Sequence, residues 1–297
     1  MAIEADCFFQ ARGWSGWARG RCLAVAMLGM LGMAGAQAAD DAFVASINDY
    51  RLAPEGCAGR QPASLGPLAP NDRLARQRVT SAEQLQGALQ QAGYQPAAAQ
   101  VIAVSGPSSR DAALVALKQR YCAILLDPQY AEVGVRRDGN SWQVILARPL
   151  LPSNLGDWQQ AGRAILEQVN AARAKARRCG SQAFDAAAPL TWNEALAQTS
   201  LAHSRDMATR NYFSHQDKNG DLAGKRATRA GYRWQSIGEN IAAGQGAAKQ
   251  VVAGWLASPA HCFNIMNADF TEMGAAYAVN PQSDAAIYWT QVFGTPR

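Results

Sequence analysis

"PLTWNEALA", residues 189–197, has a twin 122 residues upstream in "PLAPNDRLA", residues 67–75, with Pro, Leu, Asn, Leu and Ala identical. At the same offset "FVASINDYR" from Phe43 meets "ILEQVNAAR" from Ile165, and Cys57 meets Cys179. Further on the offset grows. "AGY" at 92–94 matches "AGY" at 230–232, Cys122 matches Cys262, Tyr130 matches Phe270, Glu132 matches Glu272, and Gly134 matches Gly274. "WQVILARP" from 142 answers "WTQVFGTP" from 289. The chain therefore reads as two copies of one domain, 40–152 and 158–297, joined by the short linker "LLPSNLGD", with extra residues in the second copy between Ser200 and Asn219.

Helical spacing in "WQQAGRAILEQVNAARAKAR", "TWNEALAQTSLAHSRDMATRN" and "GAAKQVVAGWLAS" predicts three helices. The second opens on Thr191 and Glu194 as a capping box, and the third stops before Pro259. "EMGAAYAV" and "IYWTQVFG" carry the β-formers of a hairpin or meander. Each unit is thus expected to be a layered α+β domain.

Residues 1–39 read as an export signal. Arg12, Arg19 and Arg21 precede the apolar run "CLAVAMLGMLGMAG", which closes on Ala36-Gln37-Ala38. That run is shorter than the ~20 residues a membrane span needs, and no second one follows, so a secreted or periplasmic protein without a transmembrane segment is expected. Charge beyond the signal is mildly positive and scattered, "AKARRCG" being the one dense run. Nucleic acid is not an expected partner.

Cleavage would remove Cys7 and Cys22 and leave Cys57, Cys122, Cys179 and Cys262. Four cysteines admit three pairings. The repeat selects Cys57–Cys122 and Cys179–Cys262, because each copy holds one early and one late cysteine. Each bridge closes a long loop and should stabilise its domain by roughly 3 to 5 kcal/mol.

The three histidines, His203, His215 and His261, all lie in the second copy. His203 sits mid-helix, one turn from Met207, and reads as structural. His215 ends "RNYFSH" ahead of the polar loop "QDKNG", and His261 follows Ser258-Pro259. Glu239 lies among apolar and small residues in "SIGENIAAG", where a buried carboxylate needs a partner; a nearby histidine would supply one.

"NYFSH", "GYRWQSIGENIAAG", "VVAGWLASPAHCFNIMNADFTEMGAAY" and "YWTQVFG", in that order across 158–297, resemble the CAP superfamily. These are the SCP-domain proteins that include cysteine-rich secretory proteins, venom antigen 5 and plant pathogenesis-related proteins, and the likeness is greatest to the short bacterial members. The resemblance implies an α-β-α sandwich with a central antiparallel sheet and a cleft lined by two histidines and acids. His215, Glu239 and His261 fall on that cleft's positions. In the animal and plant members a second glutamate follows the tryptophan of the third helix. Here Ser258 stands near that point, with Glu272 as a substitute, although the survival of Glu132 in the first copy marks Glu272 as a shared structural residue. The first copy has Val101 for Glu239 and Tyr121 for His261, and it lacks the segment holding His215, so it is a degenerate copy without a cleft.

Three functions remain open. A zinc site would use His215, His261 and Glu239, although no local signature such as H-E-x-x-H supports it. A hydrolase would use Ser214 or Ser258 with His215 or His261 as base, but no G-x-S-x-G elbow is present and Cys262 is consumed in its bridge. A binding module would present a cleft of His215, Glu239, His261, Ser258 and Glu272 to a small lipid, peptide or glycan. The resemblance implies sterol or lipid ligands, with "AAPLTWNEALA" and "GYRW" as flanks or as core. The binding reading is preferred.

Overall fold

In the computed structural model the described residues are 31–152 and 155–297, with side chains described from Asp41. The expected signal therefore lies outside the described residues, apart from the backbone of 31–39. Two units follow one another, each a four-stranded sheet with helices on both faces.

The N-terminal sandwich comprises α1 (Leu31–Leu52), β1 (Ala69–Pro70), α2 (Asp72–Ala75), α3 (Ala82–Gln91), β2 (Pro96–Ser105), α4 (Arg110–Leu125), β3 (Glu132–Asp138) and β4 (Ser141–Pro149). The C-terminal sandwich comprises α5 (Trp158–Arg173), the small hairpin β5 (Arg177–Cys179) and β6 (Gln182–Phe184), β7 (Thr191–Trp192), α6 (Glu194–Arg210), α7 (Ala223–Arg229), β8 (Trp234–Ala243), α8 (Ala248–Leu256), α9 (Pro259–Met266), β9 (Glu272–Val279) and β10 (Ile287–Pro296). The sheet orders are β1-β3-β4-β2 and β7-β9-β10-β8, the same topology twice. Registers agree residue by residue: Glu132 pairs Ala147 and Val101 pairs Ile145, as Glu272 pairs Gly294 and Glu239 pairs Val292.

The hydrogen bonds repeat as well. Asn48 clamps Leu68 through its amide, and Asn170 clamps Leu190 in the same way. Arg51 is buried and donates to the carbonyls of Gly66, Leu125, Asp127 and Tyr130. Arg173 does the same to Ala188, Ile265, Asn267 and Phe270. A buried guanidinium holds its charge only when its donors are satisfied. Burial lowers Arg51 to about 10, which leaves it cationic at neutral pH. These identical clamps explain why Asn and Arg recur at those two positions of both copies.

Helices pack where the apolar stripes predicted. On one face α5, α8 and α9 pack with Trp289 and Phe293 around Trp255 of α8, and on the other α6 and α7 pack with Tyr232 and Val292 around Leu196 of α6. Disulfides join Cys57 to Cys122 and Cys179 to Cys262 with Cα separations of 5.7 and 5.5 Å, the pairing the repeat selects. At the start of α6 the structure differs from expectation. Thr191 belongs to β7, and the cap is Asn193, whose side chain accepts from Leu196 N, so no capping box forms. Strand pairing with Glu272 holds Thr191 in extended backbone, which moves the helix start two residues on. Pro259 ends α8 and also opens α9 from its first turn. Trp255 is core, whereas Trp192 and Trp234 are half-buried with their indoles donating to Glu194 and Gly224. Among the described residues no helix is long and apolar enough to cross a membrane.

Candidate functional site

Glu239 is carried on β8, an edge strand, with its side chain only 4% exposed. His215 stands in the loop between α6 and α7, within the residues that the N-terminal copy lacks. Its Nδ1–H donates to Glu239 Oε1 at 2.8 Å while 45% of the side chain remains exposed, so Nε2 is the open edge of the ring. The other carboxylate oxygen accepts from Arg226 on α7 at 2.5 Å. Arg226 also donates to the carbonyls of His215 and Asp221, so one guanidinium fixes both strand and loop. Burial acts to raise the Glu239 carboxyl, but the His215 hydrogen bond, the facing imidazole of His203 and the Arg226 guanidinium outweigh it, and the net direction is down. Glu239 is therefore ionised.

The partner expected for Glu239 was a histidine alone. Arg226 is the stronger one, and no local pattern announces it; only the question of which cation could offset a buried carboxylate points to α7. His203 is buried in α6, as expected of a structural residue, but it reaches the cluster. Its Nε2 lies 2.9 Å from the Ser214 carbonyl and 4.0 Å from Glu239 Oε1. A carbonyl only accepts, so Nε2 carries the proton and Nδ1 is a buried acceptor with no partner. His203 thus anchors the loop one residue ahead of His215.

His261 lies in the first turn of α9, buried, with Nδ1 hydrogen-bonded to Ser258 Oγ at 2.8 Å. Burial and the nearby His215 hold it down at about 3. Ser258 has no exposed surface, so it braces His261 from behind rather than lining a cleft. Glu272 is likewise no cleft residue. Its carboxylate accepts from Tyr232 and Asn193, as Glu132 accepts from Tyr94 and Asn71, and it shares no hydrogen bond with the His215 cluster. The residues brought together are thus His215, Glu239, Arg226 and His203, with His261 in electrostatic reach.

The donor set around Glu239 is short of what zinc requires. Both Glu239 oxygens are engaged and one faces a guanidinium, which leaves two imidazoles. Among the described residues no group of three or more His, Cys, Asp or Glu is arranged to hold a metal ion. The three-residue set does not fit zinc, which takes three or four protein ligands. Neither serine suits a nucleophile. Ser258 is buried, and Ser214 Oγ accepts from Gln216 N and shares no hydrogen bond with an imidazole.

Protonation couples this cluster to stability. His261 and His203 both have lowered values in the fold, with burial as the first cause. Unfolded, each protonates near 6.5, so between there and about 3 the unfolded chain binds more protons, and stability falls as pH drops. Urea midpoints measured with chelator present should decline from pH 7 to 4, and His261→Asn should flatten that decline. A midpoint that stays constant from pH 7 to 5 would contradict the assignment.

Two helices-on-sheet units, one bearing a histidine-glutamate cluster at an edge strand, define the class: a disulfide-bridged α-β-α sandwich protein. Residues 166–293 match the model of CAP, the cysteine-rich secretory protein family. The chain is 31% identical over 142 residues to the uncharacterized protein YkwD of Bacillus subtilis (strain 168), covering 48% of this chain and 49% of that one. It is 36% identical over 87 residues to the uncharacterized membrane protein YlbC of the same organism, covering 29% and 25%. The chain thus spans about half or less of the length of these relatives. Among solved structures, an extracellular SCP-domain protein from Bacillus anthracis str. Ames aligns at TM-score 0.40 with 25% identity, covering 52% of each chain. A cysteine-rich secretory protein from Staphylococcus aureus aligns at 0.34 with 15% identity, covering 53% of this chain and 52% of that one.

Proposed function

We propose that the protein is exported and that its CAP domain is a binding module, whose cleft presents the His215 edge to the polar end of a lipid, peptide or glycan. The observation that carries this reading is the His215–Glu239–Arg226 chain. It fixes the ring, leaves Nε2 open, and supplies no reachable nucleophile. Export is supported by the two disulfides, which persist in oxidising compartments. Duplication followed by loss of the cleft in the first copy is supported by the shared registers and clamps. The boundaries 40–152 and 158–297 fit that history.

A thermal-shift panel of sterols, phospholipids, peptides and oligosaccharides tests the reading. A ligand should raise the melting temperature of the native protein by several degrees and leave His215→Ala unmoved, while the two proteins melt within about 2 °C of one another without ligand. Equal binding by His215→Ala would refute the cleft, and turnover of the ligand by the native protein but not the variant would make it an enzyme. Metal analysis of protein purified without chelator or histidine tag should find well under one equivalent of zinc, since two imidazoles leave half the coordination to solvent. A full equivalent, lost in the His215→Ala, His261→Ala double variant, would restore zinc as a resident ion.

A further inference from the structure

We propose that the N-terminal sandwich is the positioning element for this cleft, gripping separately the segments that carry His215, Glu239 and His261. The inference rests on reading that cluster as the working site.

The first grip is at Gly66. A Cβ built there would lie 3.2 Å from Phe213 Cζ and 3.3 Å from Ala243 N, so the bare backbone of the N-terminal sandwich seats the Phe213 ring two residues ahead of His215. The corresponding residue of the other copy is Ala188, and it accepts from Arg173 as Gly66 accepts from Arg51. The clamp that both copies share therefore tolerates a methyl. At Gly66 a methyl would be crowded by Ala243 N and by Phe213, a residue from the segment that only the second copy possesses. From behind, Leu65 N donates to Arg51 O, so the seat is itself fixed.

The second grip holds the end of β8. Gln245 is buried and its Nε2 donates to the carbonyls of Pro67 at 2.8 Å and Ala131 at 3.2 Å. Gly244, at φ +91°, passes so near Ala131 that a Cβ would come within 2.8 Å of its methyl. The strand bearing Glu239 is thereby docked where it leaves the sheet. The third grip is Asn48. Besides its Leu68 clamp it donates to Ala257 O at 3.1 Å, next to the Ser258 that braces His261. Asn170, its counterpart, has the Leu190 clamp without such a second acceptor. At the first and third grips the feature that departs from the repeat is the one that meets a cleft segment. A site held on rigid neighbours keeps its geometry without ordering cost on binding.

With three histidines in the sequence, ring-nitrogen spectra of the full chain can be assigned one ring at a time. In the native protein His215 should show a single Nδ1–H tautomer. Gly66→Val should abolish that single-tautomer pattern and perturb His203, which bonds to the same loop, while His261 stays unchanged. Asn48→Ala should shift His261 and leave His215 unchanged. Gly87→Ala, whose methyl meets open space, should change none of the three. If Gly66→Val does not fold, Phe213→Ala empties the same seat without overpacking and should give the same loss at His215. Native spectra in Phe213→Ala or in a folded Gly66→Val, or equal disturbance of all three rings by either grip, would overturn the proposal. These spectra need no ligand, so a cleft that binds nothing would sink the proposed function and leave this result standing.

Discussion

Gly274→Ala is expected to destabilise the C-terminal sandwich by about 3 kcal/mol, a large fraction of a domain's total stability. The added methyl would overlap Ala197 N and the Leu196 carbonyl carbon, where the first turn of α6 lies directly on β9. Backbone on one side and a sheet strand on the other leave nothing free to rotate away. The same turn is tied down by Ser200 Oγ, which donates to Gly274 O at 3.0 Å. Gly134 repeats the arrangement against Leu74 and Ala75, so Gly134→Ala should act alike on the N-terminal sandwich. Urea unfolding followed by tryptophan fluorescence measures both. A Gly274→Ala protein melting within about 2 °C of the native one would show that α6 does not rest on the strand.

Glu239→Gln should cost about 3 to 5 kcal/mol, because it leaves the Arg226 guanidinium buried without its counter-charge. Arg226 is 6% exposed, and its Nε already lacks a partner. Adding Arg226→Met should recover part of the loss, since removing both charges ends the imbalance. The coupling can be read from urea midpoints of the two single variants and the double variant. Additive losses would mean that Glu239 and Arg226 act independently, against the 2.5 Å contact between them. The native protein should hold this ion pair from neutral pH down to below the usual carboxylate range, since the folded Glu239 value is lowered and its stabilisation is lost only as pH falls through that value.

Much of the fold was legible because duplicated physics leaves duplicated residues. Asn48 with Asn170 and Arg51 with Arg173 recur since each closes the same loop by the same carbonyls, and Gly134 with Gly274 recur since each lies under a helix. Disulfide pairing followed from that symmetry. The site was half legible. The sequence points to His215, Glu239 and His261; the structure joins His215 to Glu239, engages Glu239 with Arg226, buries Ser258 beside His261 and holds Glu272 with Tyr232 and Asn193. No sequence pattern singles out Arg226, because "GKRATRAGY" resembles any solvated helix end until the fold turns one arginine inward. The capping box failed because Thr191 had a second use, pairing with β9, that local pattern does not reveal.

The sequence by itself determined the two-unit plan, α5, α6, α8 and the pair β9 and β10, and the bridges, because these are set by periodicity and by internal repetition along the chain. Only the tertiary structure decided that an arginine neutralises Glu239, that Ser258 lies behind His261, and that the N-terminal sandwich leans on the loop of His215. Those outcomes depend on which groups meet in the fold, across separations as large as 209 residues, and burial assigns a cost to unpaired charge that no spacing in the sequence records.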